Sequence, residues 1–268
     1  MRKSYVILIL SLLLLTGNCL QAQNDQTKVF VGYFNELPVF DVQAQNTLYV
    51  LKDKPEMLYK YPGSYSLLTA NYAYVCFEVK NKTAHHLIFL HDQKEQKIAV
   101  SEEIRYPAVD KDGLLYYSEA KTNEIKSISI NGQTRDLGVK GYVITIMDND
   151  LYFSREHDTN IQSANADIFV VNTKSPGKPQ KLVTNTAGEA TVIYPGGKYI
   201  YDEVLTGGEF KPIIYSVENK KYVIINVEKR FLNAPQYYSY QKKCLIFYDI
   251  KTFETKTVEL PKVFDIAR

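Results

Sequence analysis

One short text recurs along this chain. A turn rich in Asn, Asp, Gly or Lys runs directly into an aromatic, β-branched strand. It reads QNTLYVLKD at 45–53, ANYAYVCFE at 70–78, DGLLYYSEA at 112–120, DNDLYFSRE at 148–156, GGKYIYDEV at 196–204 and, more weakly, KKCLIFYDI at 242–250. Tyr, Leu, Ile, Val and Phe after such a turn are residues that fit a pleated, half-buried surface. The flanks recur too. A short apolar strand precedes most copies (PVFDVQ, YSLLTA, YPAVD, YVITIMD, ATVIYP). A third strand follows (HHLIFLHD, EIKSISIN, ADIFVVNT, KPIIYSVE), then a more polar fourth (QKIAVSE, QTRDLG, PQKLVT, KKYVIIN).

A repeat of roughly 36–48 residues built from four antiparallel strands is the spelling of a propeller blade. A four-stranded sheet with two apolar faces cannot bury itself alone, so copies must pack face to face. The expected fold is therefore all-β, a β-propeller of about six four-stranded blades. Five blades, a β-sandwich or an open solenoid stay as alternatives, because alternation alone does not separate them. The interval from Asn46 to Asn71 predicts an irregular first blade of at most three strands. KVFVGYF (28–34), which carries no turn-strand text of its own, is expected to pair with TKTVEL (255–260) and close the ring, since closure removes sheet edges.

The chain opens MRKSYVILILSLLLLTGNCLQAQ. Arg2 and Lys3 precede an apolar run from Tyr5 to Leu15, and Ala22 offers a small residue before a cut. This is the layout of a secretory signal peptide over 1–22, too short to span a bilayer. Residues 23–268 then form one propeller domain, exported to the periplasm or the extracellular space. Lipid anchoring at Cys19 is the less favoured variant, because Asn18 stands where a small residue is wanted. Losing Arg2 and Lys3 takes the formal charge from +2 to 0, which argues against nucleic acid or a polybasic membrane role. No transmembrane segment is expected in the mature chain. Cys76 and Cys244 sit in apolar strands and read as buried thiols rather than a disulfide framework.

At the third copy, Pro107, Asp112, Gly113 and Tyr117 resemble the repeat of TolB-like and dipeptidyl-peptidase propellers, in which a proline precedes an aspartate–glycine turn and an apolar–aromatic strand. That resemblance implies six blades around a channel, with loops on two faces. It also implies a partner that is a protein, peptide or glycan, enzymes being the minority of such propellers. An envelope sensor that binds a ligand is a further TolB-type possibility. Fold alone does not choose among these.

Chemistry-bearing residues read mostly as structure. His85, His86 and His91 lie on one strand, where His85 and His86 diverge and His85 and His91 stand ~20 Å apart at ~3.3 Å per residue. His157 is isolated. Asp110-Lys-Asp112-Gly113 and Asp148-Asn-Asp150 resemble fragments of calcium loops, yet sit at hairpin tips where Asp and Asn favour the turn itself. Pro195-Gly196-Gly197-Lys198 lacks the loop and helix of a phosphate site. Gly63-Ser64-Tyr65-Ser66 lacks the second glycine of a nucleophile elbow. Asn81-Lys82-Thr83 fits a glycosylation sequon. Glutaminyl-cyclase propellers use pocket tryptophans, and this chain has none. No catalytic residue, metal ligand or cofactor is therefore assigned. The alternative is a propeller enzyme (polysaccharide lyase, lactonase or related hydrolase) with a metal or carboxylates in its channel. Tyrosine is the enriched type, at 22 residues. Its densest run, NAPQYYSYQKK at 233–243, nominates Tyr237, Tyr238 and Tyr240 as binding residues, with Tyr238 and Tyr240 on one strand face and Tyr237 opposite.

Overall fold

The computed structural model describes residues 27–260 except 62, 64, 66, 81–84, 92–93, 157–165, 187–190, 195–196, 229–230 and 232–233. The expected leader with Cys19, His157 and the sequon at 81–83 lie outside the described residues. The described chain forms six consecutive antiparallel units. The first holds β1 (Lys28–Phe34), β2 (Leu37–Val42), β3 (Thr47–Leu51) and β4 (Pro55–Lys60). The second holds β5 (Leu67–Asn71), β6 (Tyr74–Lys80), β7 (His85–His91) and β8 (Lys94–Val100). The third holds β9 (Ile104–Val109), β10 (Leu115–Glu119), β11 (Glu124–Ile128) and β12 (Thr134–Lys140). The fourth holds β13 (Tyr142–Met147), β14 (Asp150–Glu156), β15 (Ala166–Asn172) and β16 (Gln180–Thr186). The fifth holds β17 (Val192–Ile193), β18 (Tyr199–Thr206), β19 (Glu209–Ser216) and β20 (Lys221–Ile224). The sixth has three strands among the described residues: β21 (Gln236–Ser239), β22 (Cys244–Tyr248) and β23 (Thr255–Glu259).

Each unit is a meander whose first strand lies innermost. In units two to six the second strand carries the repeated text, and second strands are buried on both faces. CLIFY of β22 and LYYSE of β10 are buried at every position. Their side chains alternate between two neighbouring units, so one apolar cluster fills each gap. Val39, Leu48, Val75 and Phe77 join units one and two, while Cys76, Phe89, Leu115 and Tyr117 join two and three. Tyr116, Val139, Leu151 and Phe153 join three and four. Tyr152, Ile168 and Ile200 join four and five, and Tyr201, Ile214, Leu245 and Phe247 join five and six. A sixth cluster, of Phe40, Tyr237, Ile246 and Tyr248, joins the last unit to the first. Each fully buried side chain of this size contributes about 1.5–3 kcal/mol, so the ring is held by its gaps rather than by hydrogen bonds between sheets. Cys76 and Cys244 are buried, free and in different gaps.

Two expectations are corrected. The ring does not close by pairing residues 28–34 with 255–260. β1 is the innermost strand of its own unit, its ladder is taken by β2, and β23 pairs with β22. Closure instead comes from packing and a few polar ties. The Lys28 N–H donates to the Ile250 carbonyl (3.0 Å), and the Phe30 N–H donates to the Tyr248 hydroxyl (2.8 Å). Nor is the first unit short of strands. Its inner turn is Asn35-Glu36, with φ +49° and +65°, ahead of β2. The copy at 45–53 is its third strand. Asn46, also left-handed at φ +51°, imitates the motif one strand late.

Units one and two are joined by a backbone bridge. Gly32 pairs in parallel with Ala70, merging the two units into one eight-stranded sheet. A Cβ at Gly32, where φ is +140°, would lie 2.8 Å from the Ala70 carbonyl carbon and nearer still to its oxygen. Only glycine admits this approach.

Candidate binding site at the inner-turn face

The turns that join each innermost strand to the second strand circle one end of the axis. Several adopt left-handed backbone at Asn35, Glu36, Tyr72, Asp148 and Lys243. Asn and Asp tolerate that region, but a tyrosine there is strained. Tyr72 (φ +52°) is held by three ties. Its N–H donates to the Asn71 side-chain oxygen (3.1 Å), its carbonyl accepts the Asn35 N–H (2.5 Å), and its hydroxyl accepts the Asp148 N–H (3.0 Å). The Tyr72 side chain thus reaches from unit two to unit four.

Asn71 is the keystone beneath it. Its side-chain amide donates to the carbonyls of Val109 (2.9 Å) and Ile146 (3.2 Å), the inner strands of units three and four. On the far side, the Tyr33 hydroxyl accepts the Tyr238 N–H (2.9 Å), tying unit six to unit one. The Tyr33 and Tyr240 rings meet edge to face with centroids 4.9 Å apart. Below these groups lies an axial cavity of about 210 Å³, walled by apolar and threonine side chains such as Phe30, Leu68, Ile144, Val192, Thr145 and Thr191.

Above them is a concavity of about 560 Å³. Tyr33, Tyr72, Tyr74 and Tyr240 supply its aromatic wall, Glu36 and Asp148 its acidic groups, and Lys111 a basic group. His91 stacks on Tyr74 with centroids 4.3 Å apart and completes the rim. Burial first, then neighbouring Tyr72, Glu36 and Asp148, pushes the Tyr240 hydroxyl up to about 12, and burial likewise pushes Tyr33 up. Both stay protonated donors at neutral pH. The arrangement offers ring edges, hydroxyl donors and carboxylate acceptors over one opening. The opposite end of the axis has a separate groove of about 580 Å³ among Val29, Phe30, Val192, Pro235, Tyr248 and Ile250.

The three nominated tyrosines separate. Tyr237 is 2% exposed, stacks on Phe30 (5.7 Å) and meets Phe40 edge on (5.4 Å), inside the gap between the last and first units. Tyr238 packs on Tyr194 at 5.3 Å and on Tyr240 at 5.4 Å. Tyr240, one residue past β21, alone of the three lines the concavity. Sequence reading passed over Tyr33, Asn71, Tyr72 and Glu36 as site residues and weighed Asp148 only as part of a calcium-loop fragment. Their signal was topological: each lies in or beside an inner turn.

Among the other candidates, the Asp110 loop and Gly197 lie in turns, Asp150 opens β14, and Ser64, Ser66, Pro195 and Gly196 lie outside the described residues. The Asp110 carboxylate accepts the N–H groups of Asp112 and Leu114, both at 2.9 Å, and the Tyr116 hydroxyl at 3.3 Å. Asp150 accepts the Asn172 amide. Gly197 is a left-handed turn residue against Tyr152. Among the described residues no three His, Cys, Asp or Glu side chains are grouped so as to hold a metal, and no helix is long and apolar enough to cross a membrane.

No family model matches the chain, and no curated protein matches it. Solved structures do. TolB from Acinetobacter baumannii superposes with a TM-score of 0.55 at 10% identity, over 83% of this chain and 57% of that one. A putative TolB from Agrobacterium tumefaciens gives 0.53 at 14% identity, over 77% and 81%. Virginiamycin B lyase from Staphylococcus aureus gives 0.51 at 12% identity, over 88% and 85%. The chain thus spans 57% of the length of the Acinetobacter TolB. At these identities the likeness concerns fold. The chain has a TolB-like β-propeller fold, as the repeat implied.

Proposed function

We propose that this chain is an exported, non-enzymatic β-propeller that binds a protein, peptide or glycan through the inner-turn face. The observation that carries the reading is the convergence of Tyr33, Tyr72 and Tyr240 on one opening, with Tyr72 held in strained backbone by ties from two other units. Tyrosine joins a large apolar area to a polar tip at low entropy cost, which is what a recognition surface needs. Strained backbone over-determined by its surroundings recurs at ligand-binding positions, which supports this reading. Export rests on the leader pattern over residues 1–22, and places the mature chain in the periplasm or outside the cell.

The enzyme alternative would put carboxylates or a metal in the channel. At that place the axial cavity is lined by apolar, threonine, tyrosine and asparagine residues with no carboxylate among the described residues, and the similar folds include proteins called TolB and a lyase alike, so fold does not decide. The test is affinity capture from the native envelope with wild type and Tyr240→Ala, both checked by circular dichroism. A partner enriched by wild type and lost with Tyr240→Ala is expected. Capture of nothing, together with turnover of a sugar or ester library by the pure protein, would remove the binding reading.

A further inference from the structure

We propose that the concavity recognises a basic side chain, the ammonium of lysine or the guanidinium of arginine, presented by a partner polypeptide. The inference rests on the binding reading above and names the chemistry of its ligand. Four tyrosines and two carboxylates line the same 560 Å³ opening. Tyr72 lies between the two acids in the network: its hydroxyl accepts the N–H of Asp148, and its carbonyl accepts the N–H of Asn35, the neighbour of Glu36. Glu36 and Asp148 both act on the Tyr240 hydroxyl in the same direction, as anions close to it do. The two carboxylates supply the countercharge for a cation, and the tyrosine hydroxyl oxygens beside them can accept its N–H groups. Lysine and arginine carry apolar stems that would cover the ring edges while the charged head meets the acids.

Both acids are exposed, and among the described residues no hydrogen bond to either carboxylate holds its turn, the Asp148 tie to Tyr72 being main-chain. They are therefore free to meet a ligand. Neutral glycans would use the tyrosines equally well but would gain nothing from two anions. Lys111 also lines the opening and opposes a cation there. Its removal is accordingly a test of the same idea with the opposite sign.

The experiment is an NMR titration that reads the tyrosine ring signals. The probes are acetyl-Gly-Lys-Gly-amide, the same peptide with Nε-acetyl-lysine, and a neutral oligosaccharide. The lysine peptide is expected to shift the Tyr72 and Tyr240 rings, and the acetylated peptide to leave them in place. Glu36→Gln and Asp148→Asn should each weaken binding about two- to fivefold, and Lys111→Gln should strengthen it by a similar factor. Raising salt should weaken it further. Equal binding of the acetylated peptide, or a double Glu36→Gln, Asp148→Asn variant within twofold of wild type, overturns the proposal. If a captured partner still depends on Tyr240 but ignores both acids, the cation is wrong and the binding face stands. If it ignores Tyr240 as well, the binding face itself is wrong.

Discussion

Gly32→Ala tests the backbone bridge between units one and two. An alanine Cβ would stand 2.8 Å from the Ala70 carbonyl carbon and 3.0 Å from its nitrogen, with the oxygen closer. These are backbone atoms, so no rotamer relieves the contact. β1 must retreat from β5, and the Gly32–Ala70 bridge and the Asn35–Tyr72 bond just beyond it must loosen. Overpacking of this kind costs about 1–3 kcal/mol. The +140° φ, a region almost confined to glycine, adds about 1–3 kcal/mol. The sum, about 2–6 kcal/mol, lowers Tm by roughly 4–24 °C at ~2–4 °C per kcal/mol for a domain of this size. The control is Gly138→Ala. It also has positive φ (+70°) but meets nothing within 4 Å, so it pays only the left-handed cost of about 1–2 kcal/mol. Thermal unfolding followed by near-UV circular dichroism suits a chain with 22 tyrosines and no tryptophan. A Gly32→Ala melting point no lower than that of Gly138→Ala would show that the two inner strands do not meet as described.

Tyr237→Ala should cost about 3–5 kcal/mol in chemical denaturation, as large aromatic deletions do, because Tyr237 is 2% exposed and stacked in the closing gap. A loss below 1 kcal/mol would mean that the ring is not closed there. Asn71→Ala strips the Val109 and Ile146 carbonyls of a shared donor and should cost about 1–3 kcal/mol, read in the same assay. Alkaline pH should destabilise the fold. Burial pushes Tyr116, Tyr152, Tyr237 and Tyr248 up to about 12 from an ordinary 10.0. The native state therefore holds these protons more tightly than the unfolded one. Stability is full below pH 10 and falls as pH climbs from 10 toward 12. Tyrosinate absorbance should lag that of the denatured chain across the same window, and coincident curves would refute the burial.

Much of the architecture was legible because the repeat is a physical necessity. Second strands buried on both faces must be apolar and aromatic throughout, and the turns before them need Asn, Asp or Gly. That reading placed the strand roles in units two to five correctly. It slipped in unit one because LPVFDV carries a proline and no tyrosine, unlike the repeated text. Asn46, left-handed for a different reason, offered a false match. Ring closure departs from the expected pairing of 28–34 with 255–260 because side-chain packing seals a ring without a shared ladder. Phe30, Phe40, Tyr237 and Tyr248 seal it with side chains. The site was harder to read. Local density singled out Tyr237, Tyr238 and Tyr240, yet alternation sends Tyr237 into a gap. The residues that join Tyr240 are more than 90 positions away in sequence, brought together only by the ring.

The binding face is tested most directly by a photo-reactive phenylalanine placed at position 240 and, separately, at Tyr222, an exposed residue of the outer strand β20. Irradiated in the native envelope, the variant at 240 should trap one defined partner while the variant at 222 traps none. Equal trapping at both positions, or a partner caught only at 222, would contradict a recognition site at the inner turns.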